Sequence, residues 1–286
     1  MELYLISFLL KPIKINRDRR KMKKLFIILF GLLSVSCTQK KEILKQIAPK
    51  TPDEDFTTLL WFDEFNTNGA PDSTKWGYDI GTGNNGWGNA ELQYYTNRPQ
   101  NVIVEGGFLK IKAIRETFSG SAFTSARVLT QNKFAFTYGK VEIRAKLPEG
   151  VGTWPALWML GSNIKTNPWP ACGEIDIMEH LGKDLNNIYG TLHYLDSTGG
   201  TANGATKRLK NVSTQFHIYS LEWTVSTIKI FADGQLVHSV PNSSSLPFNS
   251  DFFFIMNVAM GGNFPGPVDL AVTSATMEVD YIRVYK

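Results

Sequence analysis

The stretch Lys140-Val141-Glu142-Ile143-Arg144-Ala145-Lys146-Leu147 decides the fold. Charged and apolar residues alternate without a break, so Val141, Ile143, Ala145 and Leu147 share one face of an extended chain. A helix would scatter those four around its circumference; period 2 predicts a half-buried strand. Working outward, the same reading recurs on both sides. Residues 102–114 read as two strands around Glu105-Gly106-Gly107, and 228–240 as a hairpin turning at Asp233-Gly234, a favoured tight-turn pair. Residues 221–224, 252–260 and 277–285 are further strands, rich in aromatic and β-branched side chains. Past residue 58 there is no long helical stripe, no internal repeat and no second domain boundary. Many short strands in one unit of about 230 residues predict a single all-β sandwich or jelly roll.

Composition narrows the rest. The 286 residues are 43% apolar and 12% aromatic, which excludes a mainly disordered chain. Two cysteines exclude a disulfide scaffold and any multi-cysteine zinc module. The net charge of +4 invites a nucleic-acid or membrane partner, but its location removes the invitation. Residues 1–36 carry eight basic groups and two acidic ones; the remainder holds 22 basic against 24 acidic, net −2. No basic-aromatic stripe occurs elsewhere, so no nucleic-acid partner is expected.

Residues 25–35 form an uncharged run behind that basic cluster. The run is too short for a membrane span, which needs about 20 residues, and suits the apolar region of a signal peptide. It ends in Leu33-Ser34-Val35-Ser36-Cys37, small residues before a cysteine, which resembles a bacterial lipoprotein cleavage site with Cys37 as the lipidated first residue. An ordinary secretory cleavage nearby is the alternative. Met22-Lys23-Lys24 is itself a normal signal start, so residues 1–21 are read as lying upstream of the true start. Thr38 after the cysteine, in place of an acidic residue, resembles outer-membrane sorting. The expected organisation is a signal peptide over 1–36, a lipidated polar tether over 37–57 and one packed domain over 58–286. Lipidation would make this an exported, outer-membrane-anchored protein, facing the periplasm or the cell surface; without it, a secreted one. All seven tryptophans lie between Trp61 and Trp223, inside the packed domain.

The densest chemistry is Gly173-Glu174-Ile175-Asp176-Ile177-Met178-Glu179-His180. On a regular strand Glu174, Asp176 and Met178 share a face and Glu179 points the other way. One extra residue, a β-bulge, returns Glu179 to the face of the other two acids. The glutamates then span about 13 Å of strand, and inward-leaning side chains over a curved strand bring their carboxyls to about 5–5.5 Å, the spacing of retaining glycoside hydrolysis. Three carboxylates so close cannot all ionise freely, so one pKa should rise, as a general acid requires. The alternatives are a solvated acidic face and a metal site using His180 and His193, although no recognised ligand spacing is present.

Just upstream, Gly152-Thr153-Trp154-Pro155-Ala156-Leu157-Trp158-Met159-Leu160 sets two tryptophans four apart. They are candidates for indole faces stacking on pyranose rings, or for plain core packing. Gly81-Thr82-Gly83-Asn84-Asn85-Gly86 matches a dinucleotide fingerprint, but no helix pattern follows, so it reads as a loop at a cleft rim. Cys172 reads as a small buried residue rather than as a nucleophile paired with His193.

At these residues the chain resembles the laminarinase-type members of glycoside hydrolase family 16, over nearly all of 58–286. Glu174-Ile175-Asp176-Ile177-Met178-Glu179 resembles the family's bulged signature. Supporting blocks begin at Trp61, Glu91, Tyr138, Gly152, Asn257 and Val279. The resemblance implies a concanavalin A-like β-jelly roll of two curved antiparallel sheets with a concave sugar cleft, and endo-hydrolysis of β-1,3-glucan with retention. It implies Glu174 as nucleophile, Glu179 as general acid/base and Asp176 as the residue tuning Glu174. Trp154 and Trp158 would line sugar subsites, with Asn89, Arg127 and His193 as polar cleft residues. No cofactor is implied for catalysis, but a structural calcium is, held by Asp280 with the backbone oxygens of Glu64 and Gly107. The expected partner is polysaccharide, and the expected state a monomer. The same chemistry on mixed-linkage glucan or an algal galactan, transglycosylation, and a non-catalytic glycan-binding jelly roll are the alternatives. The cysteine in Trp169-Pro170-Ala171-Cys172 is unusual for the family, and the Gly/Ser/Thr-rich segment 196–205 is read as a loop of unassigned contacts.

Overall fold

The computed structural model describes residues 55–196 and 201–286; the expected signal peptide, Cys37 and most of the expected tether lie outside the described residues. Residues Phe56–Lys286 form one compact unit. Seventeen strands build it: β1 Leu59–Asp63, β2 Gly77–Asp79, β3 Gln93–Tyr95, β4 Val102–Glu105, β5 Phe108–Phe118, β6 Ser121–Ser125, β7 Arg127–Leu129, β8 Gly139–Lys146, β9 Thr153–Gly161, β10 Glu174–His180, β11 Asn187–His193, β12 Ala202–Arg208, β13 His217–Trp223, β14 Thr227–Ala232, β15 Gln235–Pro241, β16 Phe252–Met260 and β17 Ser274–Tyr285. Among the described residues the one helical segment is a short irregular turn over Gly86–Ala90.

The strands form two sheets. One has ten strands along the path β15-β14-β13-β8-β17-β5-β6-β3, with β1 added on β17 and β4 on β5; the other has seven, in the order β12-β11-β10-β9-β16-β7-β2. The neighbours are out of sequence order throughout, the mark of a jelly roll. All pairings are antiparallel except β3 with β6, which runs parallel. The two antiparallel sheets are those expected, and β3 sits at the end of its sheet beside the loop Gly86–Ala90.

Each period-2 expectation has a structural counterpart. On β8, Val141, Ile143 and Ala145 are fully buried, while Lys140 and Lys146 on the other face pair with Glu142 and Glu278, and Arg144 pairs with Asp280. The 228–240 hairpin is β14–β15, and Asp233 and Gly234 both take positive φ, 48° and 70°. A two-residue turn of that kind matches strand twist. Strands β13 and β17 start earlier than sequence suggested, at His217 and Ser274. The segment 196–205 is not wholly a loop: from Ala202 it joins β12 and pairs along β11. Its exposed, polar sequence hides the strand, because β12 lies at a sheet edge with little to bury.

One contiguous apolar core lies between the sheets. It takes Leu109, Ile111, Val141, Ile143, Met277, Val279, Ile282 and Val284 from the ten-stranded sheet and Leu157, Met159, Ile175, Ile188, Leu192, Phe252, Phe254 and Met256 from the other. At roughly 1.5–3 kcal/mol per buried large side chain, this layer supplies the driving force for sandwich formation. The outer face of the seven-stranded sheet is therefore left free to carry function.

Candidate active site

Strand β10 carries its acids on that outer face because its register slips. Against β9, Asp176 faces Trp158 and Met178 already faces Leu157; against β11, Asp176 faces Thr191 and Glu179 faces Tyr189. The slip at Ile177-Met178 is the bulge expected from the sequence. It sends Ile175, Ile177 and Met178 into the core and turns Glu174, Asp176 and Glu179 together into one cleft. The cleft has a volume of about 900 Å³ and runs from Asn89 and Trp87 over β7 and β16, across β9 and β10, to Thr201 and Ala202.

Three residues meet at the centre. His193 Nε2 lies 3.2 Å from Asp176 Oδ2 and 3.9 Å from Glu174 Oε1. Trp169 Nε1 donates to Glu174 Oε2 at 2.9 Å. Trp154 Nε1 donates to Glu179 Oε1 at 3.0 Å. Burial pushes the Glu174 carboxyl well above its ordinary range, the negative charge of Asp176 adds to this, and His193 opposes it. Asp176 is pushed well up by burial and then by Glu179. Glu179 is also raised, by burial, with the Trp154 N–H pulling the other way. The cluster therefore retains protons at pH values where free carboxylates have lost them.

The polar and aromatic residues expected around the acids are there. Trp154 and Trp158 are half-buried on the cleft face of β9. Arg127 lies between the indoles of Trp87 and Trp158, 4.4 and 4.8 Å from the ring centres, and pairs with Asp79 at 2.9 Å. Asn89 lines the rim. The glycine-rich segment before it forms a loop at this rim, with positive φ at Gly83, Asn85, Gly86, Trp87 and Gly88. Among the described residues no helix of dinucleotide-binding type follows it.

Other expectations resolve by burial. His180 is fully enclosed, away from the cleft, and burial pulls its pKa down to about 4. It therefore does not join His193; the potential ligand atoms that do come together belong to Glu174, Asp176 and His193, within 4.8 Å of one another. Cys172 is fully buried, and burial followed by the charge of Glu174 pushes its thiol up to about 11. A thiolate nucleophile is not available there.

The calcium expectation has a mixed geometry. Asp63 pairs with Ile282 and Leu109 with Val279. Those registers carry the main chain at Glu64 and Gly107 towards Asp280, and such oxygens are the hard donors calcium takes. The carboxylate of Asp280 pairs with Arg144, and that of Glu64 with Arg283.

Sequence reasoning missed several cleft residues. Trp87 and Trp169 lie in loops without periodicity. Asn257 had a usable signal, as the single polar residue in the run Phe252–Met260, and it accepts the Trp158 N–H at 2.8 Å. Phe264 and Tyr189 stack edge to face at 5.2 Å, with Trp154 meeting Phe264 at 5.5 Å, beside Glu179.

Paired carboxylates in an aromatic-lined cleft on a jelly roll define a glycoside hydrolase. The chain belongs to the glycosyl hydrolases family 16, which its residues 89–283 match. It is 44% identical over 244 residues to a beta-glucanase of Rhodothermus marinus, covering 80% of this chain and 85% of that one. It is 39% identical to glucan endo-1,3-beta-glucosidase A1 of Niallia circulans, covering 80% of this chain but only 38% of that longer protein. The crystal structure of the laminarinase from Rhodothermus marinus superposes with a TM-score of 0.76 at 44% identity, covering 80% of this chain and 97% of that one.

Proposed function

We propose that this protein cleaves β-1,3-linked glucan internally with retention of anomeric configuration. The observation that carries the reading is the slipped register of β10, which gathers Glu174, Asp176 and Glu179 on one face. In the first step Glu174 attacks the anomeric carbon while protonated Glu179 gives its proton to the departing glycosidic oxygen. In the second, Glu179 takes a proton from water, the water oxygen attacks the same carbon, and the bond to Glu174 breaks. Asp176, between them, holds a proton near Glu174 and orients it with His193. Trp154, Trp158, Asn89 and Arg127 bind the sugar chain; the relatives' names support glucan as its chemistry.

The test is release of reducing ends from laminarin, set beside lichenan, agarose and carrageenan, with products sized. Laminarin cut to short oligosaccharides is the expected result. Preference for another polymer would replace the substrate, and products longer than the substrate would make the enzyme a transglycosylase. Retention on immobilised laminarin without cleavage would leave only a binding module.

The same reading includes an exported monomer, anchored through lipid on Cys37. Incorporation of labelled fatty acid, lost in Cys37→Ser, tests the anchor. It also includes a structural calcium on Asp280 and the backbone oxygens of Glu64 and Gly107, displacing Arg144 and taking no part in the reaction. A calcium-dependent rise in Tm that disappears in Asp280→Asn is the expected outcome; identical melting with calcium and with chelator removes the ion.

A further inference from the structure

Glu91 is a carboxylate in the cleft wall that the proposed reaction does not use. Three donors converge on it: Asn89 Nδ2 reaches Oε1 at 3.4 Å, while Gln93 Nε2 and the Tyr95 hydroxyl reach Oε2 at 2.6 and 3.2 Å. The chain of bonds continues into the sheet. Asn257 Nδ2 donates to the Tyr95 oxygen at 3.0 Å, and Trp158 Nε1 donates to Asn257 Oδ1 at 2.8 Å.

The direction of every bond follows from the two ends. An indole N–H only donates, so Asn257 must turn its carbonyl oxygen to Trp158 and its amide N–H to Tyr95. Tyr95, having accepted, gives its own proton to Glu91. Glu91 accepts from each of its three donors, so it terminates the chain. The same rule acts at Asn89: an amide that gives its NH2 group to Glu91 keeps its carbonyl oxygen free for another partner. Asn89 lines the cleft, and so does Trp158, against which Arg127 stacks. The loop Gly86–Ala90 that carries Asn89 is curled tightly onto Glu91; a Cβ at Gly86 would stand 2.5 Å from the Glu91 nitrogen.

We propose that Glu91 is a positioning residue that sets the hydrogen-bond polarity of this wall, making Asn89 an acceptor for a sugar hydroxyl and holding the Trp158–Arg127 stack in one orientation. The proposal rests on the glycan reading above and deepens it, making substrate binding in this arm of the cleft depend on a carboxylate that the proposed reaction does not use.

A reciprocal exchange tests it. In Glu91→Gln the new amide N–H confronts the Asn89 amide, which must flip and offer a donor to the sugar. KM for laminari-oligosaccharides should rise about fivefold to tenfold, the cost of one mispaired hydrogen bond, with a much smaller change in kcat. Asn89→Asp sets two carboxylates against each other and should raise KM at least as much. Combining Glu91→Gln with Asn89→Asp again pairs a donor with an acceptor and should bring KM back towards wild type. Tyr95→Phe, which removes only the hydroxyl, should give a milder KM rise and covers the case of a misfolded Glu91 variant. A purely structural Glu91 predicts the opposite pattern: lower Tm, KM and kcat damaged together, and no rescue. Unchanged KM in Glu91→Gln and Tyr95→Phe, or a double variant no better than the worse single one, overturns the proposal. A wild type that fails to cut these oligosaccharides strikes the substrate reading instead, and tryptophan-fluorescence titration of the same variants then reads the role of Glu91 through Kd.

Discussion

Strands β8 and β10 share a length scale, a period and a wealth of charge, yet they sit in different sheets and do opposite things with their acids. On β8 the register is regular along β13, and the outward charges are matched by cations: Glu142 with Lys140, and Lys146 with Glu278 across the sheet. On β10 the register slips, and Asp176 and Glu179 are 3% and 8% exposed, with no lysine or arginine paired to them among the described residues. A regular strand sorts its charges into water. A bulged strand over a curved sheet gathers them, and the desolvation and repulsion that result are what raise the carboxyl pKa values. The chemistry of the site is therefore a consequence of one extra residue in one strand.

The largest effect expected from breaking this contrast is catalytic. Glu174→Gln and Glu179→Gln should each cut kcat by about 10³-fold or more while leaving the far-ultraviolet circular dichroism intact and the Tm no lower than that of wild type. Wild-type-like turnover in either variant would remove β10 from the mechanism.

A smaller effect, of reversed sign, is expected in stability. The raised pKa of Asp176 means that the folded state holds a proton that the unfolded chain releases near pH 4. Stability contributed by this group is therefore full at low pH and falls as pH rises towards the folded pKa. Asp176→Asn removes the titration, so its Tm should exceed that of wild type at pH 8 and converge with it at pH 4. Each ~1 kcal/mol relieved is worth about 2–4 °C in a domain of this size. Calorimetry at both pH values checks this, and a variant less stable at pH 8 than at pH 4 relative to wild type contradicts it.

The smallest effect belongs to β8. Lys146→Ala breaks a pair whose members are 30% and 22% exposed, and should cost less than about 1 kcal/mol, without change in kcat or KM. Urea unfolding and the laminarin assay together measure it. A loss comparable to that at β10 would mean that the two strands do not differ in kind.

Much of this was legible because it is periodic or compositional. Alternation in 140–147 fixes a strand whatever surrounds it, and the acids of 174–179 are too concentrated among Ile and Met to be an ordinary surface. The two tryptophans four apart on β9 share a face by the same period. Legibility failed where a residue's role depends on a distant neighbour. Trp169 matters because a loop folds its N–H onto Glu174. Trp87 matters because Arg127 is stacked between it and Trp158. The start of β12 was missed because an edge strand of small polar residues has no apolar face to announce it.

By itself the sequence determined the fold class and the cluster of three carboxylates, since side-chain period and local composition act within a few residues of chain. Only the tertiary structure decided which way the acids point, what donors they meet and how Glu91, Tyr95, Asn257 and Trp158 join into one wall. Those facts depend on strand register and on contacts between residues as much as 162 positions apart, which local pattern does not encode.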